Sequence, residues 1–130
     1  PTVVIRDNEP NPNNNFQAVC GDFDGDGRRD EAYLAKNASA GRYAVMVKLA
    51  KADAAIELDT GALSDLPRMG LGGVGSGPLT AFCARQEPRP DGCTPRVSAP
   101  NAAFSAFTFE SAERVFYLKN GQWLTVWTSD

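Results

Sequence analysis

The chain has 130 residues, the size of one domain, with 42% apolar and 22% charged residues and a formal net charge of −3. It has no histidine and only three cysteines, Cys20, Cys83 and Cys93, without a CxxC pair. This excludes Ser-His-Asp and Cys-His catalysis, histidine-ligated metals and a four-cysteine zinc site.

Taken in chain order, the elements are short and mostly extended. Residues 2–6 (TVVIR) read as a strand, and the Asn/Pro-rich stretch 7–15 as a loop. A second strand, 16–20 (FQAVC), runs into the aspartate-rich stretch 21–30, and 31–36 (EAYLAK) resumes the extended pattern. Tyr43 to Ala50 is a strong strand with Tyr43, Val45, Val47 and Leu49 on one face, and 55–59 (AIELD) pairs back on it as a hairpin. From Thr60 to Pro78 the chain is rich in glycine and reads as irregular, with a short helical turn around Leu63 to Leu66. Strands are expected at 80–84 (TAFCA) and 106–110 (AFTFE). The C-terminal residues give the clearest signal, because Asn120-Gly121 between two β-branched and aromatic runs supplies the positive φ angles of a type I′ hairpin. The fold class is therefore mostly β: a small single-domain open β-sandwich or curved antiparallel sheet spanning 1–130.

The stretch GDFDGDGRRD places aspartates at 22, 24, 26 and 30. Ionised carboxylates this close repel by about 1 kcal/mol per pair at 4 Å in water, and by about 4 at an effective dielectric of 20. A hard cation offsets that repulsion. Calcium takes six to eight oxygens, and a tightly curled chain presents alternate side chains to it. Asp22, Asp24 and Asp26 are the inward side chains, Gly27 permits the sharp turn, Arg28 offers its backbone carbonyl and Asp30 closes the shell. The competing reading is a solvated acidic turn. An EF-hand is excluded, since its twelfth position here is Tyr33 and both flanks read as strands.

A strand–loop–strand site with its last ligand at position 9 resembles the calcium loops of the FG-GAP and VCBS repeat families, also found in integrin propellers. The resemblance covers roughly Ala18 to Leu34 and matches Asp22, Asp24, Asp26, Arg28 and Asp30 one for one. The loop occurs once, so the propeller of those families is not implied. More broadly, a calcium loop flanked by strands, a cysteine-bearing loop and a terminal hairpin resemble the periplasmic calcium-binding immunity proteins of Xanthomonas-type killing systems and, more loosely, periplasmic lysozyme inhibitors.

Cys83 and Cys93 bracket a loop of prolines and mixed charge. Their pairing is expected, worth up to about 3 kcal/mol in the chain-entropy model, and points to an oxidising compartment. The alternative is two free thiols. Cys20 reads as a small core residue. The GxGxxG run 70–75 has a proline before it and Gly77-Pro78 after it, so it reads as a surface loop rather than a phosphate site. Glu110 and Glu113 are the nearest approach to a hydrolase pair, but a spacing of three sends them to opposite faces of a strand. In the hairpin, Val115, Tyr117, Leu124 and Val126 form the expected core face. The other face carries Arg114, Trp123 and Trp127, residue types enriched at binding hot spots; the competing reading is that other elements cover both faces.

The sequence thus leads to a non-enzymatic, periplasmic or secreted protein with one calcium ion. It would inhibit another protein, a secreted peptidoglycan hydrolase in the immunity reading. Contact is expected through Arg85, Arg89 and Asp91 of the cysteine loop or through Arg114, Trp123 and Trp127. No basic stripe marks a nucleic-acid binder, and no apolar run reaches the roughly 18 residues of a membrane span. No signal peptide precedes Pro1, as expected of a trimmed mature form whose only membrane link would be a lipid anchor. The alternatives are a small carboxylate hydrolase and a surface adhesion module.

Overall fold

The computed structural model describes residues 17–37, 39–108 and 112–129, together with the backbone of 2–5. Its strands are β1 (Thr2–Ile5), β2 (Ala18–Gly21), β3 (Asp30–Asn37), β4 (Arg42–Lys48), β5 (Ile56–Ala62), β6 (Met69–Val74), β7 (Gly77–Thr80), β8 (Arg96–Ala99), β9 (Ala103–Thr108), β10 (Glu113–Lys119) and β11 (Gln122–Ser129). All the pairings are antiparallel. The first sheet runs β1-β3-β4-β5 and the second β11-β10-β9-β6, while β7 and β8 form a separate ribbon. In the first sheet β1 and β2 lie end to end along one edge of β3, β1 opposite Leu34–Asn37 and β2 opposite Asp30–Tyr33.

The two larger sheets pack face to face as a β-sandwich. Period-2 alternation decides which side chains meet. Ala32 and Leu34 of β3 and Val45 and Val47 of β4 face Met69 and Leu71 of β6, Phe104 and Ala106 of β9, and Phe116 of β10. Phe104 stacks on Phe116 with centroids 5.1 Å apart, and Trp123 meets Phe104 edge-on at 5.9 Å. Each such ring pair contributes about 0.5–1.5 kcal/mol beyond the area it buries.

The outer face of the second sheet is covered as well. Val115, Tyr117, Val126 and Ala103 form a smaller core with Ala81 and Ala99, bordered by Leu79, Val97 and Cys83. The ribbon and a 3-10 helix at Phe82–Arg85 thus make a third layer over the sandwich. A disulfide, Cys83–Cys93, closes the loop that follows that helix.

Three expectations need correction. The glycine run 70–75 is not a loop: residues 69–74 form β6, paired with β9 along its whole length. Met69 and Leu71 supply the inward alternation, and Gly73 lets the strand lie close to Val19 of β2. Residues 80–84 are not a strand either, since β7 ends at Thr80 and the 3-10 helix begins at Phe82. The hairpin has the expected register, Arg114 opposite Trp127 and Leu118 opposite Trp123, around Asn120 and Gly121 at φ 52° and 76°. Its two faces, however, are used differently. Phe116 and Trp123 turn into the main core, because the second sheet is the middle layer and has apolar neighbours on both sides. Phe16 and Glu110, named in the sequence reading, lie outside the described residues.

Candidate metal centre

The aspartate loop joins β2 to β3 directly above the last rung of their ladder, Gly21 opposite Asp30. Phe23 anchors it. Pointing opposite to the carboxylates, its ring is fully buried, 5.4 Å from Phe104 and 6.1 Å from Trp123 by centroid. The loop is thereby nailed to the core by one aromatic side chain, which leaves the aspartates gathered on the other side.

Backbone amides then orient those aspartates. Asp22 accepts from the N–H of Asp26 at 3.1 Å and of Gly27 at 2.8 Å, one bond to each oxygen. Asp30, 1% exposed, accepts from the N–H of Phe23 at 2.9 Å and of Ala50 at 2.8 Å. It therefore ties the start of the loop to the β4–β5 turn, and the Arg28 guanidinium adds a second tie by donating to the Ala50 carbonyl at 3.1 Å. Gly25, at φ 76°, lies under Asn101, where a β-carbon would come within 2.5 Å of the Asn101 carboxamide oxygen. Three segments distant in sequence thus hold one loop.

Asp22, Asp24 and Asp30 converge, each presenting a carboxylate oxygen within 4.8 Å of the other two. Two oxygens bound to one calcium at 2.3–2.6 Å can be at most about 5 Å apart, so this spacing fits a shared ion. Asp24 is the decisive member. Its side chain is 3% exposed, and its Oδ2 is buried without a hydrogen-bond partner among the described residues. The Lys51 ammonium stands 3.6 Å away, a charge neighbour too distant to be a hydrogen-bond donor. An unsatisfied buried carboxylate oxygen is costly, and a hard cation is the partner its chemistry asks for. Burial is the main reason the Asp24 carboxyl titrates above the ordinary range, with the Asp26 and Asp30 charges adding to it.

Of the five expected ligands, Asp22, Asp24 and Asp30 are brought together. Asp26 instead accepts from the Arg28 N–H at 2.8 Å, chiefly for which its carboxyl is held low. It stays exposed beside Asp24. Arg28 engages through its amide and guanidinium. The sequence reading missed Ala50, Lys51 and Asn101, which carry no local signal and reach the loop only through the sheet turns.

The expected contact residues are placed as follows. Arg85, exposed, donates to the Thr128 carbonyl and lies 5.8 Å from the Phe82 ring centroid. Arg89 donates to the Ala84 carbonyl at 3.4 Å, and Asp91 is exposed beside the disulfide. Trp123 is half-buried, its ring packed against the main core rather than lying open on the surface. Arg114 pairs with Asp59 of the facing sheet, between the Phe116 and Trp127 rings at 4.7 and 5.1 Å, so it clasps the sandwich edge. Trp127 remains 51% exposed. The two candidate surfaces meet at the end of β11, where Thr128 takes the Arg85 bond next to Trp127.

No protein-family model matches the chain, and neither a curated protein nor a solved structure matches it.

Proposed function

We propose that this chain is a calcium-binding protein of the periplasm or the extracellular space that works by binding and inhibiting another protein, a peptidoglycan hydrolase in its finest form. The orphaned, buried Asp24 oxygen amid the Asp22–Asp24–Asp30 cluster carries the calcium reading. The Cys83–Cys93 disulfide supports the oxidising compartment. Calcium clamps a loop already fixed by Phe23, so its role is to stiffen the sandwich end rather than to perform chemistry.

The inhibitor reading draws on the surface at the end of β11. Exposed Arg85, Arg89 and Trp127 combine cations with an aromatic anchor, and an arginine can pair with the catalytic carboxylate of a wall hydrolase through short, directional bonds.

The test mixes the purified protein with peptidoglycan hydrolases of different bond specificity and follows clearing of a cell-wall suspension in calcium and in chelator. Stoichiometric inhibition of one class is expected, weakened by about tenfold or more in Arg89→Ala with no change in melting temperature. Clearing rates unchanged across the panel would overturn the inhibitor reading and leave the calcium site standing.

A further inference from the structure

We infer that Lys51 sets the calcium affinity of the aspartate loop by acting as a tethered cation that competes with the metal at Asp24. The inference rests on the calcium reading and goes one step further, naming the residue that tunes the site.

The β4–β5 turn brings two lysines near the loop, and they are used differently. Lys48 is committed to the turn itself, donating to the Leu49 carbonyl at 2.9 Å and to the Ala52 carbonyl. Arg28 is likewise committed, to the Ala50 carbonyl. Among the described residues, Lys51 is the cation paired with the acidic cluster. Its ammonium lies 3.6 Å from the very Asp24 oxygen that has no hydrogen bond. The neighbouring residue, Ala50, is pinned to Asp30 through its amide, which fixes the backbone from which the Lys51 side chain reaches this position.

The Lys51 side chain is 59% exposed, while that of Asp24 is 3% exposed. An ion pair with one partner in water is weakly held, so the ammonium can swing out when a stronger cation arrives. Until then it neutralises part of the carboxylate repulsion. Afterwards it repels a divalent ion, because its tether keeps it within a few ångströms. One unit charge about 5 Å from a divalent ion in bulk water changes affinity by about tenfold. Calcium loops are tuned through their charge count, and a tethered cation moves the site toward the weak affinities of extracellular modules.

The test is calorimetric titration with calcium chloride on the wild type, Lys51→Met, Lys51→Glu and Lys36→Met. Lys36 is the control, six residues along β3 from Asp30 and therefore roughly 20 Å away. Lys51→Met is expected to bind about tenfold tighter, Lys51→Glu tighter still, and Lys36→Met as the wild type does. The gap should narrow in high salt. A second readout separates competition from simple support of the fold. Lys51→Met should melt lower than the wild type in chelator yet gain more on calcium addition. Equal affinities for wild type and Lys51→Met would overturn the inference while leaving calcium binding intact. Absence of binding heat in the wild type would overturn the calcium reading itself, and this inference with it.

Discussion

Two loops of similar length, 22–30 and 83–93, are fixed by opposite means. The first is held by polar contacts: backbone amides point at three converging carboxylates, Phe23 is sunk in the core, and the proposed cation would complete the shell. The second is closed covalently by Cys83–Cys93, and its interior from Arg85 to Gly92 is exposed, with Arg85 and Arg89 tacked to carbonyls. On the proposed reading one loop would answer to calcium and pH, and the other to redox conditions. The difference also explains why one can be read residue by residue and the other only at its ends. The spacing of the acidic residues marks Asp22, Asp24 and Asp30 of 22–30, whereas a disulfide marks two positions of 83–93.

The largest effect should come from Asp30→Ala. It strands the buried-side amides of Phe23 and Ala50, each costing about 1–3 kcal/mol, and removes a ligand. Denaturant unfolding in chelator should already reveal the loss. Asp22→Asn is the gentler partner experiment: its one amide oxygen keeps one of the two N–H bonds and its NH2 meets the other donor, so some metal-free stability is lost while the calcium response is abolished. Replacing Cys83 and Cys93 by alanine comes next, at up to about 3 kcal/mol. That loss should be the same with and without calcium, since among the described residues the first loop is tied to Ala50 and Asn101 and the second to Ala84 and Thr128; a loss that depended on calcium would show the two loops to be coupled.

Gly25→Ala and Gly27→Ala sharpen it on a smaller scale. Both residues have positive φ, which costs an L-residue about 1–2 kcal/mol. Only at Gly25 would the new methyl also strike Asn101. Gly25→Ala should therefore melt measurably below Gly27→Ala.

The smallest effect is on pH. A carboxyl raised in the folded state contributes stability at low pH that is lost as the pH rises through its folded value, and this is the sign for Asp24. Asp26, held low, has the opposite sign. Calcium needs Asp24 ionised, so the calcium-induced rise in melting temperature should fade on acidification toward the carboxylate range. Melting curves in calcium and in chelator across that range measure the fade directly.

Sheet register was legible wherever a local rule forced it. Asn120-Gly121 fixed the hairpin pairing from Lys119–Gln122 outward, and the alternation of Tyr43, Val45 and Val47 marked the inner face of β4. β6 was hidden because three of its six residues are glycine, whose low strand propensity masked the Met69/Leu71 alternation. The roles of Arg114 and Trp123 depend on which face of the second sheet meets the first, a property of layer order that no stretch of hairpin sequence carries. In the candidate metal centre the convergence of Asp22, Asp24 and Asp30 was legible from their spacing, and the separate engagement of Asp26 was not. Lys51 and Asn101 were not, because they arrive from the β4–β5 turn and from the turn before β9.

The most direct test of the central claim is scanning calorimetry of the wild-type protein in chelator and in saturating calcium. At about 100 times the dissociation constant the ion adds roughly 2.7 kcal/mol, or about 10 °C for a domain of this size. A rise of that order, absent in Asp22→Asn, is the expected result. Superimposable melts in calcium and chelator would contradict the account and return the loop to a solvated acidic turn.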